Sequence, residues 1–206
     1  MKPFVLFLLF SVTMAIEGNS QTPKYPVPQG YYPYLDLDKK PYSLSADFDN
    51  DGVKDLVTVY SKSRSGEEEN RVAVYLSSVY SKSNTVYSFP FSTHHYDLQF
   101  NDKTKVLSVG ACLGNGRFCM NFKFKYYPSI ASMRLIGYDE ESFGNAVHEG
   151  AYTKTVNLLT NKYDITKPTL KKKITKEASL PVMSLANFGE KDIERLGDLG
   201  RSLIDN

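Results

Sequence analysis

Asp47-Phe48-Asp49-Asn50-Asp51-Gly52-Val53-Lys54-Asp55-Leu56-Val57-Thr58-Val59-Tyr60 joins an acidic turn directly to a run that reads as a strand. Residues 56–60 are rich in β-branched and aromatic side chains, which fit a pleated surface. Further along, Val72, Val74 and Leu76 alternate with Ala73, Tyr75 and Ser77 on a period of two, the mark of a strand with one buried face. The same texture recurs at 85–91, 96–100, 105–113, 118–126, 133–138, 152–159 and 169–175. The breaks carry turn chemistry, as in Asn101-Asp102-Lys103, Gly114-Asn115-Gly116, Tyr127-Pro128-Ser129 and Thr160-Asn161-Lys162. Breaks this short predict antiparallel neighbours, because parallel strands need long crossovers. Only at 190–204 do Ile193, Leu196, Leu199, Leu203 and Ile204 gather on one helical face, interrupted by Gly197 and Gly200. The expected fold is all-β: an antiparallel meander of about eight or nine strands, incomplete-propeller or sandwich-like, with a short C-terminal helix.

The turn that opens this stretch carries its own chemistry. Acids fall at Asp47, Asp49, Asp51 and Asp55, with glycine at Gly52. Alternate residues of a tightly curled loop point inward, and Ca²⁺ takes about six to eight hard oxygens at about 2.3–2.6 Å. The expected ligand set is the carboxylates of Asp47, Asp49, Asp51 and Asp55 with the backbone carbonyl of Val53. Gly52 would permit the sharp turn at positive φ. An EF-hand is excluded, because its closing glutamate would fall at Thr58, inside the strand. The alternative is an acidic turn without an ion. Against it, four carboxylates in one turn repel, and Lys54 alone cannot neutralise them.

Cys112 and Cys119 are the only cysteines. A two-residue type I′ turn at Asn115-Gly116 would pair Gly114 with Arg117, Leu113 with Phe118 and Cys112 with Cys119. That register predicts a disulfide across one hairpin, worth about 2.5 kcal/mol by loop-closure entropy. It also predicts a hydrogen-bonded pair with Cα atoms about 5.5 Å apart, and hence strain.

Lys2, the apolar run at 4–10 and its extension over 12–16 have the build of a signal peptide, 1–20. Cleavage before Gln21 or after Ala15 suits the small residues there, and the run is short of a membrane span. The expected location is therefore outside the cytoplasm, periplasmic or secreted, with no integral membrane span. A Pro- and Tyr-rich lead follows over 21–43, and a single β domain over 44–206. Prolines exclude a helix from the lead, which is expected to pack across a sheet. A formal net charge of +2 is too balanced to recruit nucleic acid or an anionic membrane. Lys171-Lys172-Lys173, between Leu170 and Ile174, reads as an edge-protecting strand.

Catalytic signals are weak. His94 and His95, being consecutive, would point to opposite faces of a strand. His148-Glu149 lies in a Gly-flanked loop, with no nucleophile or orienting group in view. Elbow, zincin and phosphate-loop motifs are missing from the sequence, so no catalytic residue is assigned.

The loop at 47–55, flanked by Leu44-Ser45-Ala46 and residues 56–59, resembles the calcium loop of FG-GAP and VCBS-type repeats. The later stretches Phe122-Lys123-Phe124-Lys125-Tyr126, Leu135-Ile136-Gly137-Tyr138-Asp139 and Asn157-Leu158-Leu159-Thr160-Asn161-Lys162 are similar to small exported bacterial proteins with one such loop. The resemblance implies a calcium-bearing, strand-rich exported protein and carries no activity with it. Three functions fit these expectations. The first is a calcium-stabilised module that binds an extracytoplasmic protein or glycan. The second is a periplasmic inhibitor or immunity-type protein acting through a loop at 139–151. The third is a hydrolase with an unrecognised site.

Overall fold

The structure, a computed structural model, describes residues 25–65, 69–93, 95–113, 116–168 and 171–205. The expected signal peptide at 1–20, the start of the lead, His94 and the Gly114-Asn115 half of the expected turn lie outside the described residues.

Two antiparallel sheets form, as the alternation predicts. The first contains β1 (Tyr32–Pro33), β2 (Ser43–Ala46), β3 (Asp55–Ser61), β4 (Asn70–Tyr75) and β5 (Tyr87–Pro90). Its order is β1-β3-β4-β5, with β2 also paired to β3. A short helix, α1 (Ser77–Ser83), links β4 to β5. The second sheet is an uninterrupted meander of β6 (His95–Asn101), β7 (Val106–Leu113), β8 (Phe118–Tyr127), β9 (Ser132–Ser142), β10 (Tyr152–Asn157), β11 (Lys162–Lys167) and β12 (Lys172–Glu177). β12, with Lys173 exposed, forms its edge, as expected of that lysine run. The described strands exceed the expected number because β1, β2 and β11 are short or carry mixed polar residues.

The two sheets meet face to face, in a sandwich-like arrangement. Val57, Val59, Val72, Val74 and Phe89 point inward from the first, and Leu107, Val109, Phe122, Phe124 and Leu135 from the second. Phe188, from the C-terminal segment, seals the seam. Its ring centroid lies 5.1 Å from Phe89, 5.4 Å from Phe122 and 5.5 Å from Phe124. Burying one such ring is worth about 1.5–3 kcal/mol.

A register shift in the β8–β9 pairing decides what reaches this core. Lys123 faces Gly137 but Phe124 faces Leu135, so Ile136 is an extra residue. A bulge of this kind reverses the alternation. Met133 and Leu135 point inward before it, and Tyr138 and Glu140 after it, all essentially inaccessible.

The Pro/Tyr lead packs across the outer face of the first sheet. Tyr25 stacks on Tyr75 at 4.6 Å, and the Tyr75 hydroxyl donates to the Pro26 carbonyl at 2.9 Å. The C-terminal helices are short, α2 (Glu190–Asp198) and α3 (Arg201–Asp205). They part at Gly200, where φ is +73° and a Cβ would lie 2.6 Å from Ile165 Cδ1. Only glycine lets the chain turn this close to β11. Among the described residues, no helix is long and apolar enough to cross a membrane.

Cys112 and Cys119 are bonded and directly opposed in the ladder. Their Cα atoms lie 4.0 Å apart, which corrects the expectation of a wide, hydrogen-bonded pair. The described pairing runs to Leu113↔Phe118, as the expected register has it.

Candidate functional site

The acidic loop hangs between β2 and β3 and is anchored by Phe48. That ring is buried in the main core, 5.1 Å from Phe100 on the second sheet. Gly52 has φ +85°, as expected of the sharp turn, and Asn50 also turns at φ +65°. Carboxylate oxygens of Asp47, Asp49 and Asp55 lie within 4.8 Å of one another. Two oxygens on opposite sides of a calcium ion, each at about 2.4 Å, would be that far apart.

Asp55 is fully buried. Its Oδ2 accepts the Phe48 N–H at 2.6 Å and the Asp49 N–H at 3.3 Å, and its Oδ1 accepts the Ser77 N–H at 2.7 Å. One side chain thus ties the loop to the first turn of α1. Asp47 accepts the Asp51 and Gly52 N–H groups, and Asp49 accepts the Asp51 N–H and the Ser78 hydroxyl. A carboxylate offers about four acceptor sites. Each of the three acids therefore keeps capacity for a cation, and the donor set is all hard oxygen, as calcium requires.

Asp51 is not in the converging set. Its Oδ2 accepts the Ser77 hydroxyl at 2.9 Å and its Oδ1 accepts the Val53 N–H at 2.8 Å. Val53 sits exposed on the rim of the loop. Burial pushes the Asp55 carboxyl up to about 6, although the Ser77 and Phe48 N–H donors pull it down. Burial also raises Asp49. The nearby Tyr25 phenol is pushed up to about 12, by burial first and then by the charges of Asp55, Asp51 and Asp49. Loop and neighbours thus favour whatever neutralises the carboxylates, a proton or a cation.

A second charged cluster gave no signal in the sequence. Lys154 and Glu140 are both fully buried, with Nζ and Oε2 2.9 Å apart. Tyr138 donates to Glu140 Oε2 at 2.5 Å, and Tyr152 donates to its Oε1. Lys154 also donates to the Gly197 carbonyl at 2.8 Å, in the last turn of α2. Burial lowers the Lys154 ammonium, against the pull of Glu140, and raises both phenols. The cluster is closed over by α2 and acts as a clasp between the helix and the sheet. Strict alternation would have placed Glu140 opposite Leu135; the Ile136 bulge is what brings it inside.

Of the histidine candidates, His94 lies outside the described residues, and His95 and His148 stand apart on separate turns and strands. His95 is exposed at the rim of a groove of about 500 Å³, with Tyr34, Tyr42, Tyr96, Asp36 and Asp38. Among the described residues, no carboxylate is paired with its ring. His148 is exposed, at φ +61°, in the turn between β9 and β10. That turn is braced by its own hydrogen bonds. Asn145 Oδ1 accepts the N–H groups of Val147 and Glu149, and Asn145 Nδ2 donates to Glu149. Gly144 has φ +66°, and a Cβ there would lie 2.3 Å from the Glu149 carbonyl oxygen. The Phe143 N–H donates to the Arg117 carbonyl at 2.9 Å, tying the turn to the disulfide hairpin. Phe143 and Val147 stand exposed, at 43% and 69%. Comparison of the chain with protein-family models, curated proteins and solved structures finds no match.

Proposed function

We propose that the protein is an extracytoplasmic, calcium-stabilised β module that binds a protein or glycan. The observation that carries this reading is the convergence of the Asp47, Asp49 and Asp55 carboxylates on one point, directly before β3. An ion there would neutralise the loop and fix how β3 enters the first sheet, so that metal binding and folding are linked. The signal-peptide pattern at 1–20 supplies the compartment, where millimolar calcium makes a modest affinity sufficient. Calorimetric titration of calcium into the metal-free protein tests this. One site is expected in the wild type and none in Asp49→Ala; no heat in the wild type would overturn it.

A second reading is favoured by the turn at 143–151: an inhibitor-type protein that blocks an enzyme with this loop. The supporting observation is a preorganised tip with two exposed apolar side chains, which enters a cleft at little ordering cost. Anchors of this kind carry about 2 kcal/mol or more each, or about thirtyfold in affinity. Immobilised wild type and a Phe143→Ser/Val147→Asp variant, offered the same extracytoplasmic extract, are expected to differ in one captured protein. Equal capture by both would remove the loop from the interface.

A further inference from the structure

A tight hairpin at the end of the lead builds one wall of the groove at His95. The Tyr42 N–H donates to the Tyr34 carbonyl and the Asp36 N–H to the Lys40 carbonyl, both at 2.8 Å, while the Tyr34 N–H reaches the Val59 carbonyl on β3 at 2.9 Å. Asp36 Oδ1 accepts the Lys40 N–H at 2.8 Å and closes the tip. The Tyr42 hydroxyl donates to the Tyr96 carbonyl at 2.5 Å, which fastens the hairpin to β6. Tyr34 packs edge-on against Tyr96 at 5.2 Å and against Tyr42 at 6.5 Å. Leu35 and Leu37, also on the hairpin, stand exposed at 47% and 104%. Leu37, Asp38 and His95 keep the lining open to solvent, and the space of about 500 Å³ lies within the size range of ligand sites.

This lining combines negative charge, ring surface and methyl groups. Asp36 and Asp38 are its acids, and His95 is the one lining side chain able to carry positive charge. Lys40 Nζ lies 3.9 Å from the Asp38 carboxylate with both ends largely exposed, a contact worth little. Burial raises the Tyr34 and Tyr42 phenols, and the charges of Asp97 and Asp36 raise Tyr42 further, so the rings stay neutral in a negative field. Two of the three phenol hydroxyls are spent inside the fold: that of Tyr42 on the Tyr96 carbonyl, and that of Tyr96 on the Phe91 carbonyl at 2.5 Å. A sugar, held through its hydroxyls, would therefore find few partners on this wall. A lysine or arginine side chain brings several N–H donors that need acceptors. A quaternary ammonium ion brings charge without a donor, and aromatic rings attract such ions through their quadrupole.

We propose that this groove binds a trimethylammonium group, with the rings of Tyr34 and Tyr42 and the side chains of Leu35 and Leu37 against its methyls, and Asp36 and Asp38 supplying the opposing charge. The methyls lose little on leaving water, and the rings and leucines give them apolar contact in return. Such a head fills only part of the groove, which leaves room for whatever carries it. The proposal goes beyond the reading of the protein as a protein- or glycan-binding module, and it requires neither calcium nor the 143–151 loop.

The test is a proton NMR titration of the full chain with choline, in EDTA and at constant ionic strength, following the ring resonances of His95 and the tyrosines. Its control is 3,3-dimethyl-1-butanol, which has the shape of choline without the charge. Saturable shifts in the low-millimolar range are expected for choline alone. Tyr34→Leu, which removes a ring, is expected to weaken binding about tenfold, whereas Tyr34→Phe should bind as wild type does. Asp36→Asn/Asp38→Asn, which keeps the shape and removes the charge, should weaken it about fivefold. That pair lies on the exposed hairpin tip, so this arm stands even where Tyr34→Leu disturbs the fold. Phe143→Ser/Val147→Asp should leave binding unchanged. No saturable shift with choline, equal shifts with the neutral alcohol, or full affinity in the aspartate variant would each overturn the proposal. Larger shifts with cellohexaose than with choline would overturn it in favour of a glycan. Co-sedimentation with phosphatidylcholine vesicles would assign the group to a lipid headgroup, and choline binding without it to a soluble compound. Because the calcium titration is read separately, failure here would leave the metal-stabilised module standing, and the reverse also holds.

Discussion

Lys154→Met is expected to lower the thermal midpoint by on the order of 10 °C, more than a core truncation of similar size. Among the described residues, the ammonium it removes is the one cation ion-paired with the fully buried Glu140, with Arg201 acting on that carboxylate only from farther off. Removing one partner of a buried pair leaves an uncompensated charge, at a cost of about 3–5 kcal/mol. In a domain of this size each kcal/mol moves the midpoint by about 2–4 °C. The Gly197 carbonyl also loses its donor, so α2 should loosen, and amide exchange in 190–205 should rise with it. Lys154→Met/Glu140→Leu is expected to recover most of the loss, because a matched apolar pair carries no desolvation penalty. A single-variant midpoint within a degree or two of wild type would show that the clasp contributes nothing.

Asp55→Ala should be comparably damaging, for a different reason. Three backbone N–H groups, of Phe48, Asp49 and Ser77, would lose their acceptor. Buried unsatisfied donors cost about 1–3 kcal/mol each, so a loss on the order of 4 kcal/mol is expected. The charge of Asp55 has a separate, pH-dependent signature. Its folded carboxyl is raised from 3.8 to about 6, so the folded state holds this proton more tightly than the unfolded state. Stability from this group is therefore present below about pH 4 and is lost as pH rises towards 6, a change on the order of 3 kcal/mol. In EDTA, the wild-type midpoint measured relative to Asp55→Asn should fall between pH 4 and pH 6.5. In saturating calcium the fall should shrink, because the cation replaces the proton. A difference that stays flat in EDTA would contradict the account of this carboxylate.

The parts of the fold that were legible in the sequence are those where burial alternates cleanly. Residues 56–60, 72–76 and 105–113 declared their strands because one face is uniformly apolar. The disulfide register followed from the same hairpin. β11, with the sequence KYDITK, was hidden because Lys162, Asp164 and Lys167 outweigh Tyr163 and Ile165, the two side chains that enter the core. α1 was hidden because Ser77-Ser78-Val79-Tyr80 has no helical preference of its own. Its start is held by the Asp55 carboxylate, a contact of 22 positions in sequence separation. The acidic loop was readable residue by residue, because its chemistry is local. The Glu140–Lys154 clasp was not, since it depends on a bulge at Ile136 and on a helix closing from the far end of the chain.

The central claim is that a cation completes the loop at 47–55. The direct measurement is the thermal midpoint of the protein in EDTA against calcium titrated to several millimolar, for wild type, Asp49→Ala and Lys54→Ala. With a dissociation constant of about 0.1–1 mM, such calcium reaches about ten times that constant or more. Linkage then adds about 1.4 kcal/mol, rising to about 2.7 kcal/mol at a hundredfold excess. The wild-type midpoint should therefore rise by about 3–6 °C, or more towards saturation. Asp49→Ala should show no rise, having lost one converging carboxylate. Lys54→Ala should rise as wild type does, because Lys54 is exposed and contributes no side chain to the cluster. A wild-type midpoint that is the same in EDTA and in calcium would mean that 47–55 is an acidic turn held by its own backbone donors, with no ion in it.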